Sequence, residues 1–357
     1  MKKILCFIES LGSGGAERQL TGLAAMLKEQ GYDVEICYYI KKEFYLPFLQ
    51  DNGVKGTLLN EAANKFKRFF VIRRYIRNNK PDTIISYSRS TSMITCLVKI
   101  LKGKFKLIVS ERNTTQSVGL MERMQFFLYK WADIVVPNSN SQGRFIKENF
   151  KILDDKVKVI TNFVDTDKFS PSKDLKPCHD TTDIICVGRL MPQKNIIRFI
   201  ESISRIIKDG YKVHVDWFGQ DFENNYSKDI QRKIIENKLE TIFEFYPASS
   251  CIEKEYCNAD VFCLPSQYEG FPNVLCEAMS CGMPVLCSRV CDNPNIVSEG
   301  GNGLLFNPLD INDMTMVIEK FINLSSEKKK DMAKKSREIA IEMFSKKSFI
   351  DKYINII

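Results

Sequence analysis

Short apolar runs alternate along this chain with longer amphipathic segments. In the first half, "KILCFI" (3–8), "VEICYY" (34–39), "TIISY" (83–87), "KLIVS" (106–110), "DIVVPN" (133–138) and "VKVI" (157–160) have the length and β-branched content of strands. Between them, segments such as 16–30 and 65–79 carry apolar residues at helical spacing. The pattern then pauses: residues 161–183 are polar, hold two prolines and keep no period, which predicts a linker. Alternation resumes with "IICVGR" (184–189), "KVHVDWFG" (212–219), "IFEFY" (242–246), "DVFCLPS" (260–266) and "MPVLCS" (283–288), and 310–357 is helical throughout. Strand–helix alternation on both sides of a linker predicts an α/β protein of two doubly wound, Rossmann-like domains facing a central cleft, with ligands at the carboxyl ends of the strands.

Composition narrows this picture only a little. The 357 residues suffice for two domains. An excess of 52 Lys+Arg over 44 Asp+Glu, net +8, favours anionic partners without naming them. The twelve cysteines include no C-x-x-C pair, several sit inside strand runs, and only His179 and His214 could add imidazole ligands. Reduced thiols serving as small core residues, in a cytoplasmic protein, are therefore expected over a zinc or disulfide framework. His214 lies inside a strand run, where packing is expected. The apolar stretch at the N-terminus ends at Glu9, too short for a signal peptide, and no run reaches the length of a membrane helix.

The most informative stretch is "PSQYEGFPNVLCEAMSCGMPVLCS" (265–288). A strand ends at Pro265, a loop runs to Phe271, Pro272 opens a helix and Gly282 closes it. This aims backbone N–H groups of Gly270, Phe271, Asn273, Val274 and Leu275 at an anion. Two carboxylates, Glu269 and Glu277, flank that anion site. They would repel a phosphate, but they suit the hydroxyls of sugars on either side of one. A nucleotide sugar satisfies both halves. In "ICVGRLMPQKN" (185–195), Gly188 allows close backbone approach, and Arg189 and Lys194 stand where two cations could hold a diphosphate. The glycine-rich turn "ESLGSGGAERQLTGLA" (9–24) lacks the third glycine of a dinucleotide fingerprint, since Glu17 stands there, and "VEICYYIKK" ends in lysines instead of a ribose-binding acid. A nicotinamide cofactor is therefore not expected, although Gly14 and Gly15 still permit close approach to a phosphate or an acceptor.

Together, "GSGGAERQL", "SERN" (110–113), "PNSN" (137–140), "FVDTDKFSP" (163–171), "VGRLMPQKN" and "EGFPNVLCEAMSCGMPV" resemble glycosyltransferase family 4, retaining enzymes of the two-domain GT-B architecture. The resemblance spans nearly the whole chain in order. It implies an N-terminal acceptor-side domain over 1–165, a donor-binding domain over 166–342, and a last helix, about 343–357, crossing back to the first domain. It also implies that Glu277 holds the donor ribose, Glu269 contacts the transferred sugar, Arg189 and Lys194 hold the diphosphate, and Gly14 and Gly15 approach it. Arg189, Lys194 and Glu269 are then the catalytic candidates. The histidine that many members carry near the donor sugar is missing: the region reads "ISYSRSTSMI" (85–94), leaving Ser88, Arg89, Ser90 and Glu111 as neighbours on the acceptor and sugar side. Asp165 and Asp167 fall in the linker and read as a capped turn, not a metal site. No metal or other cofactor is expected where two cations face the diphosphate.

The expected reaction is retaining transfer of a hexose or N-acetylhexosamine from a nucleotide diphosphate sugar, UDP-linked by preference, to a hydroxyl of a bacterial surface glycan or lipid-linked oligosaccharide. Two alternatives stand beside it. A glycosidase could use Glu269 and Glu277 as its carboxylate pair but would leave Arg189 and Lys194 without a role. A catalytically silent subunit could bind a nucleotide sugar. The segment 64–80 interleaves phenylalanines with lysines and arginines; it reads first as a crossover helix and second as a contact for anionic membrane at the cytoplasmic face. No stacking-aromatic motif points to nucleic acid.

Overall fold

A computed structural model describes residues 1–101, 103–112, 115, 117–172 and 180–357. Two parallel six-stranded sheets organise the chain, each in its own compact unit: one holds Met1–Phe163 with Phe349–Ile357, the other Val164–Ser348.

The first unit contains β1 Lys3–Phe7, β2 Asp33–Tyr38, β3 Lys55–Leu58, β4 Thr83–Tyr87, β5 Lys106–Glu111 and β6 Ile134–Pro137 in the order β3-β2-β1-β4-β5-β6. Its helices are α1 Gly15–Glu29, α2 Leu46–Asp51, α3 Lys65–Asn79, α4 Arg89–Ile100, α5 Leu120–Tyr129 and α6 Asn140–Asn149. The second unit contains β7 Thr182–Val187, β8 Val213–Phe218, β9 Phe243–Tyr246, β10 Val261–Leu264, β11 Val285–Ser288 and β12 Gly303–Phe306 in the order β12-β11-β10-β7-β8-β9. Its helices are α7 Ile196–Lys208, α8 Asn225–Glu236, α9 Ile252–Asn258, α10 Asn273–Ser280, α11 Asn293–Ile296, α12 Ile311–Ile322 and α13 Ser326–Phe344; α14, Lys346–Ile354, runs from it into the first unit. Both orders are those of a doubly wound sheet, and the order reverses between β1 and β4 and between β7 and β10.

Strands buried on both faces explain the continuous apolar runs. In β1, Ile4 and Cys6 enter one core while Leu5 and Phe7 enter the other. The first of these cores also takes in Phe163 and, from the returning segment, Phe349, Ile350, Tyr353, Ile356 and Ile357. Arg112, at the end of β5, donates to Tyr87 Oη, Tyr353 Oη (2.7 Å) and Asn162 Oδ1 (2.7 Å), tying β4, the linker start and α14 together. In the second unit, Arg337 donates to the carbonyls of Thr166, Phe169 and Ser280, fixing the linker to the carboxyl end of α10.

The structure departs from the sequence pattern in three places. The run 157–160 is no strand: it makes an isolated bridge to β6 and two backbone bonds before leaving as the linker. The four-residue strands β3 and β12 were not expected; "KGTL" and "GLLF" each carry a glycine and are too short to show a period. The crossing into the first unit lies at Phe349, because Phe344 is held in the second unit against the Phe271 ring at 5.8 Å.

Candidate active site

The two loops that carry the candidate residues follow adjacent strands. Residues 188–195 follow β7 and residues 265–271 follow β10, at the switch point of the second sheet. Side chains and backbone stitch them together. Gln267 N–H donates to Gln193 O (2.9 Å), Gln193 Nε2 to Tyr268 O (2.8 Å), and Asn195 Nδ2 to Pro265 O (3.1 Å) and Pro308 O (2.7 Å). Asn195 is buried at φ 59°, a left-handed position that asparagine tolerates. Trp217 Nε1 donates to Gly188 O (2.8 Å), and a Cβ on Gly219 would lie 2.0 Å from that same oxygen, so only glycine fits there.

This scaffold brings Lys194 and Glu269 into a salt bridge of 2.6 Å, with side chains only 12% and 9% exposed. Arg189 on the same loop is exposed and makes no ion pair among the described residues. Glu277 is buried in α10, 6% exposed. Helix α10 starts at Asn273 with Pro272 as its cap residue, one position later than the sequence suggests, and Gly282 follows it at φ 75°. Asn273 N–H bonds Phe271 O and Leu275 N–H bonds Pro272 O, which leaves Gly270, Phe271 and Val274 as the N–H donors not engaged among the described residues. The side chains of Phe271 and Leu275 are buried in the core, so Phe271 offers a ligand only its main chain, and Leu275, its N–H engaged, offers no donor. Glu269 N–H donates to Cys291 Sγ (3.4 Å), whose thiol burial pushes up, and Cys291 itself sits at φ 48°. At the carboxyl ends of β7–β9 lies a cavity of about 440 Å³ lined by Leu190, Gly219, Gln220, Phe245, Tyr246 and Pro247.

In the first unit the candidates gather at the other switch point, after β1, β4 and β5. Gly14 caps α1 and Gly15 opens it, both exposed. A Cβ on Gly14 would lie 2.3 Å from Glu17 Oε2, so this glycine makes room for a carboxylate from its own helix, which also accepts from Ser10 Oγ (3.2 Å). Ser88 takes φ 82° at the start of α4, a strained conformation for serine, with its Oγ 3.0 Å from Thr91 Oγ1. Arg89 pairs with Glu122 at 3.0 Å, and Ser90 Oγ accepts from Tyr39 Oη (3.1 Å) and Arg68 (3.3 Å). Glu111 is buried and accepts from Gln125 Nε2 and from Tyr129 Oη (3.4 Å). Of these four, Ser88 is the one whose backbone is held in a costly conformation. Asn113 of "SERN" lies outside the described residues, as does His179.

Asp165 Oδ1 accepts from the N–H groups of Asp167 and Lys168 (3.3 Å each) and Oδ2 pairs with Lys346 (2.7 Å), so this D-x-D is a capped turn. All eleven cysteines among the described residues are free thiols. His214 departs from its expected packing role: it is part-exposed and bonds Asp216. Gln193, Asn195, Trp217, Gly219 and Cys291, which hold the site together, were not singled out from the sequence. Asparagine ahead of a helix and glycine after a strand were the only local signals, and both are common.

Residues 13–168 match the family model described as Glycosyltransferase Family 4, and residues 168–339 match Glycosyl transferases group 1. An amylovoran biosynthesis glycosyltransferase, AmsD, of Erwinia amylovora is 27% identical over 311 residues, 84% of this chain and 85% of that protein. An α-1,4-N-acetyl-D-galactosaminyltransferase of Campylobacter jejuni that acts on a GalNAc-containing diphosphoundecaprenol is 28% identical over 302 residues, 78% of this chain and 77% of that one. Among solved structures, a glycosyltransferase of Rickettsia africae superposes with a TM-score of 0.88 at 20% identity, covering 99% of this chain and 97% of its own. HepE of Anabaena, in complex with UDP, gives 0.85 at 18%, covering 99% of each. The folds are the same, and two family models laid end to end account for the sequence from Ser13 to Ile339. The chain belongs to glycosyltransferase family 4 and is a glycosyltransferase of GT-B fold.

Proposed function

We propose that the enzyme transfers a hexose or N-acetylhexosamine, with retention, from a UDP-sugar to a hydroxyl of a lipid-linked glycan destined for a bacterial surface polysaccharide. The observation that carries this reading is the pairing of Lys194 with Glu269 at the β7/β10 switch point, beside Arg189, which makes no ion pair among the described residues. The diphosphate takes Lys194 and Arg189 together with the N–H groups of Gly270, Phe271 and Val274. Glu269, released from Lys194, accepts a hydroxyl of the transferred sugar, and Glu277 the ribose hydroxyls. The base enters the cavity beside Leu190, Phe245 and Pro247. As the bond from C1 to the β-phosphate oxygen breaks, two cations neutralise the departing charge, so the transfer step requires no divalent metal. The acceptor oxygen bonds C1 on the same face, and its proton goes to a phosphate oxygen. Support for the substrates comes from relatives: the Campylobacter enzyme and an Escherichia coli α-1,3-galactosyltransferase named for UDP-Gal both act on diphosphoundecaprenol-linked glycans, and HepE is seen with UDP and with UDP-glucose.

Thermal unfolding against UDP, GDP, ADP and their sugars tests the donor site. At 100 times its dissociation constant, the correct nucleotide stabilises by about 2.7 kcal/mol. UDP and one UDP-sugar shift the midpoint of wild type, and Glu277→Ala abolishes the shift. No shift with any nucleotide sinks the donor reading.

Peripheral binding to anionic membrane is a second part of the proposal. Helix α3 buries Ile72 and Ile76 while Phe66 and Phe70 stay exposed, and no helix of the described residues is long and apolar enough to cross a membrane. Near the carboxyl end of α3, Arg73, Arg77, Lys80 and Lys104 ring a cavity of about 340 Å³ floored by Ile76 and Phe105. No carboxylate pairs with these four cations among the described residues. Vesicles containing phosphatidylglycerol sediment the protein and phosphatidylcholine vesicles do not. Arg73→Gln/Arg77→Gln weakens that binding about 30-fold, from about 1 kcal/mol per basic residue. Equal binding to both vesicle types removes this part.

A further inference from the structure

The transfer chemistry leaves one cluster unused. On β8, His214 and Asp216 are two residues apart and so share a face; on β9, Glu244 stands directly opposite Asp216 in the parallel register. The other face of these strands, with Val213, Val215, Trp217 and Phe243, is buried in the core. The His214 face is only part-covered: the three side chains are 27%, 32% and 52% exposed. A sheet that sets two carboxylates opposite each other pays in repulsion, and Asp183, opposite His214 on β7, brings a third carboxylate alongside.

We propose that His214, Asp216 and Glu244 bind one divalent ion of the zinc class on this face. One ligand atom from each of the three lies within 4.8 Å of the others. His214 Nε2 is 3.1 Å from Asp216 Oδ1 and 3.9 Å from Glu244 Oε1. Around a tetrahedral ion with bonds of about 2.0–2.2 Å, ligand atoms stand about 3.3–3.6 Å apart, which these two distances bracket. The other oxygen of Glu244 is taken by the Tyr246 hydroxyl, which orients Oε1 toward the imidazole in the manner of an outer-shell partner. Tyr246 is itself fixed by stacking on Phe218, ring centroids 4.7 Å apart. One imidazole and two carboxylates select a borderline ion over Mg²⁺ or Ca²⁺, with water completing the shell. The ion would pin the four-residue edge strand β9 to β8, and it takes no part in the transfer.

Chelator-treated full-length protein is titrated with Zn²⁺ by calorimetry and with Co²⁺ by absorption, Mg²⁺ serving as control. Wild type binds one equivalent of either transition ion, and the cobalt spectrum carries d–d bands without thiolate charge transfer. His214→Ala lowers affinity at least about 100-fold, and Glu244→Gln and Tyr246→Phe each about 10-fold. In His214→Ala and Glu244→Gln the metal-free melting midpoint and UDP binding stay as in wild type, which separates this site from the donor reading and from misfolding. The proposal is overturned if no saturable binding appears, if a thiolate band shows that cysteines hold the ion, or if His214→Ala binds as wild type does.

Discussion

Replacing Lys194 by methionine lowers kcat by about 10²–10³, the usual cost of removing one preorganised group that stabilises developing negative charge. The same change destabilises the free protein by about 3–5 kcal/mol, because it removes one partner of an ion pair whose side chains are only 12% and 9% exposed. The two effects have different origins and can be separated. Lys194→Met/Glu269→Gln restores the melting midpoint, since the carboxylate that faced Lys194 is removed with it. It does not restore turnover, since the cation that faces the diphosphate is still missing. Calorimetric melting and a radiolabelled-sugar transfer assay on wild type and both variants decide the matter. If the double variant recovers activity together with stability, Lys194 acts only as the structural partner of Glu269.

Deleting residues 349–357 unfolds the first unit while the second stays folded. The deletion removes Phe349, Ile350, Tyr353, Ile356 and Ile357, all buried in a core with Leu20, Leu23 and Phe163. Emptying even one large core position costs about 2–5 kcal/mol, and a domain holds only about 5–15 kcal/mol in all. Arg112 loses Tyr353, one of its three side-chain partners, at the same time. Hydrogen exchange reads the result: β1, β2 and β4–β6 lose protection, and β7, β8, β10 and β11 keep it. Unchanged protection in the first sheet would show that the returning helix is dispensable to that core.

How much of this was legible in the sequence depended on how far each feature reaches. Strands buried on both faces, such as β1 and β10, announce themselves as apolar runs, and α1 and α3 show through periodicity; their limits fell within a residue or two. β3 and β12, with four residues and a glycine each, are made by pairing with a neighbour and carry no signal of their own. At the candidate site, Lys194, Arg189, Glu269 and Glu277 were singled out because they fall in two strand–loop–helix stretches that resemble the family's; as isolated charges they gave only a weak signal. What positions them was not readable. The bond from Asn195 to Pro308 spans 113 residues, and the demand for glycine at 219 arises only where the Gly188 carbonyl passes over it. Gly14 was readable as a glycine needed for close approach, but what approaches it is Glu17, from its own helix.

The return of the chain to the first unit also sets an order of manufacture. Residues 1–163 leave the ribosome first, yet their core lacks the Phe349–Ile357 segment until all of 164–348 has been made. At about 5–20 residues per second, those 185 residues take roughly 10–40 s. Throughout that interval the core that holds Leu20 and Leu23 lacks the part that Phe349–Ile357 supplies, while the second unit can complete its own core. The protein is therefore most exposed to aggregation, and most dependent on chaperones, during its synthesis, at a stage that refolding the finished chain never passes through.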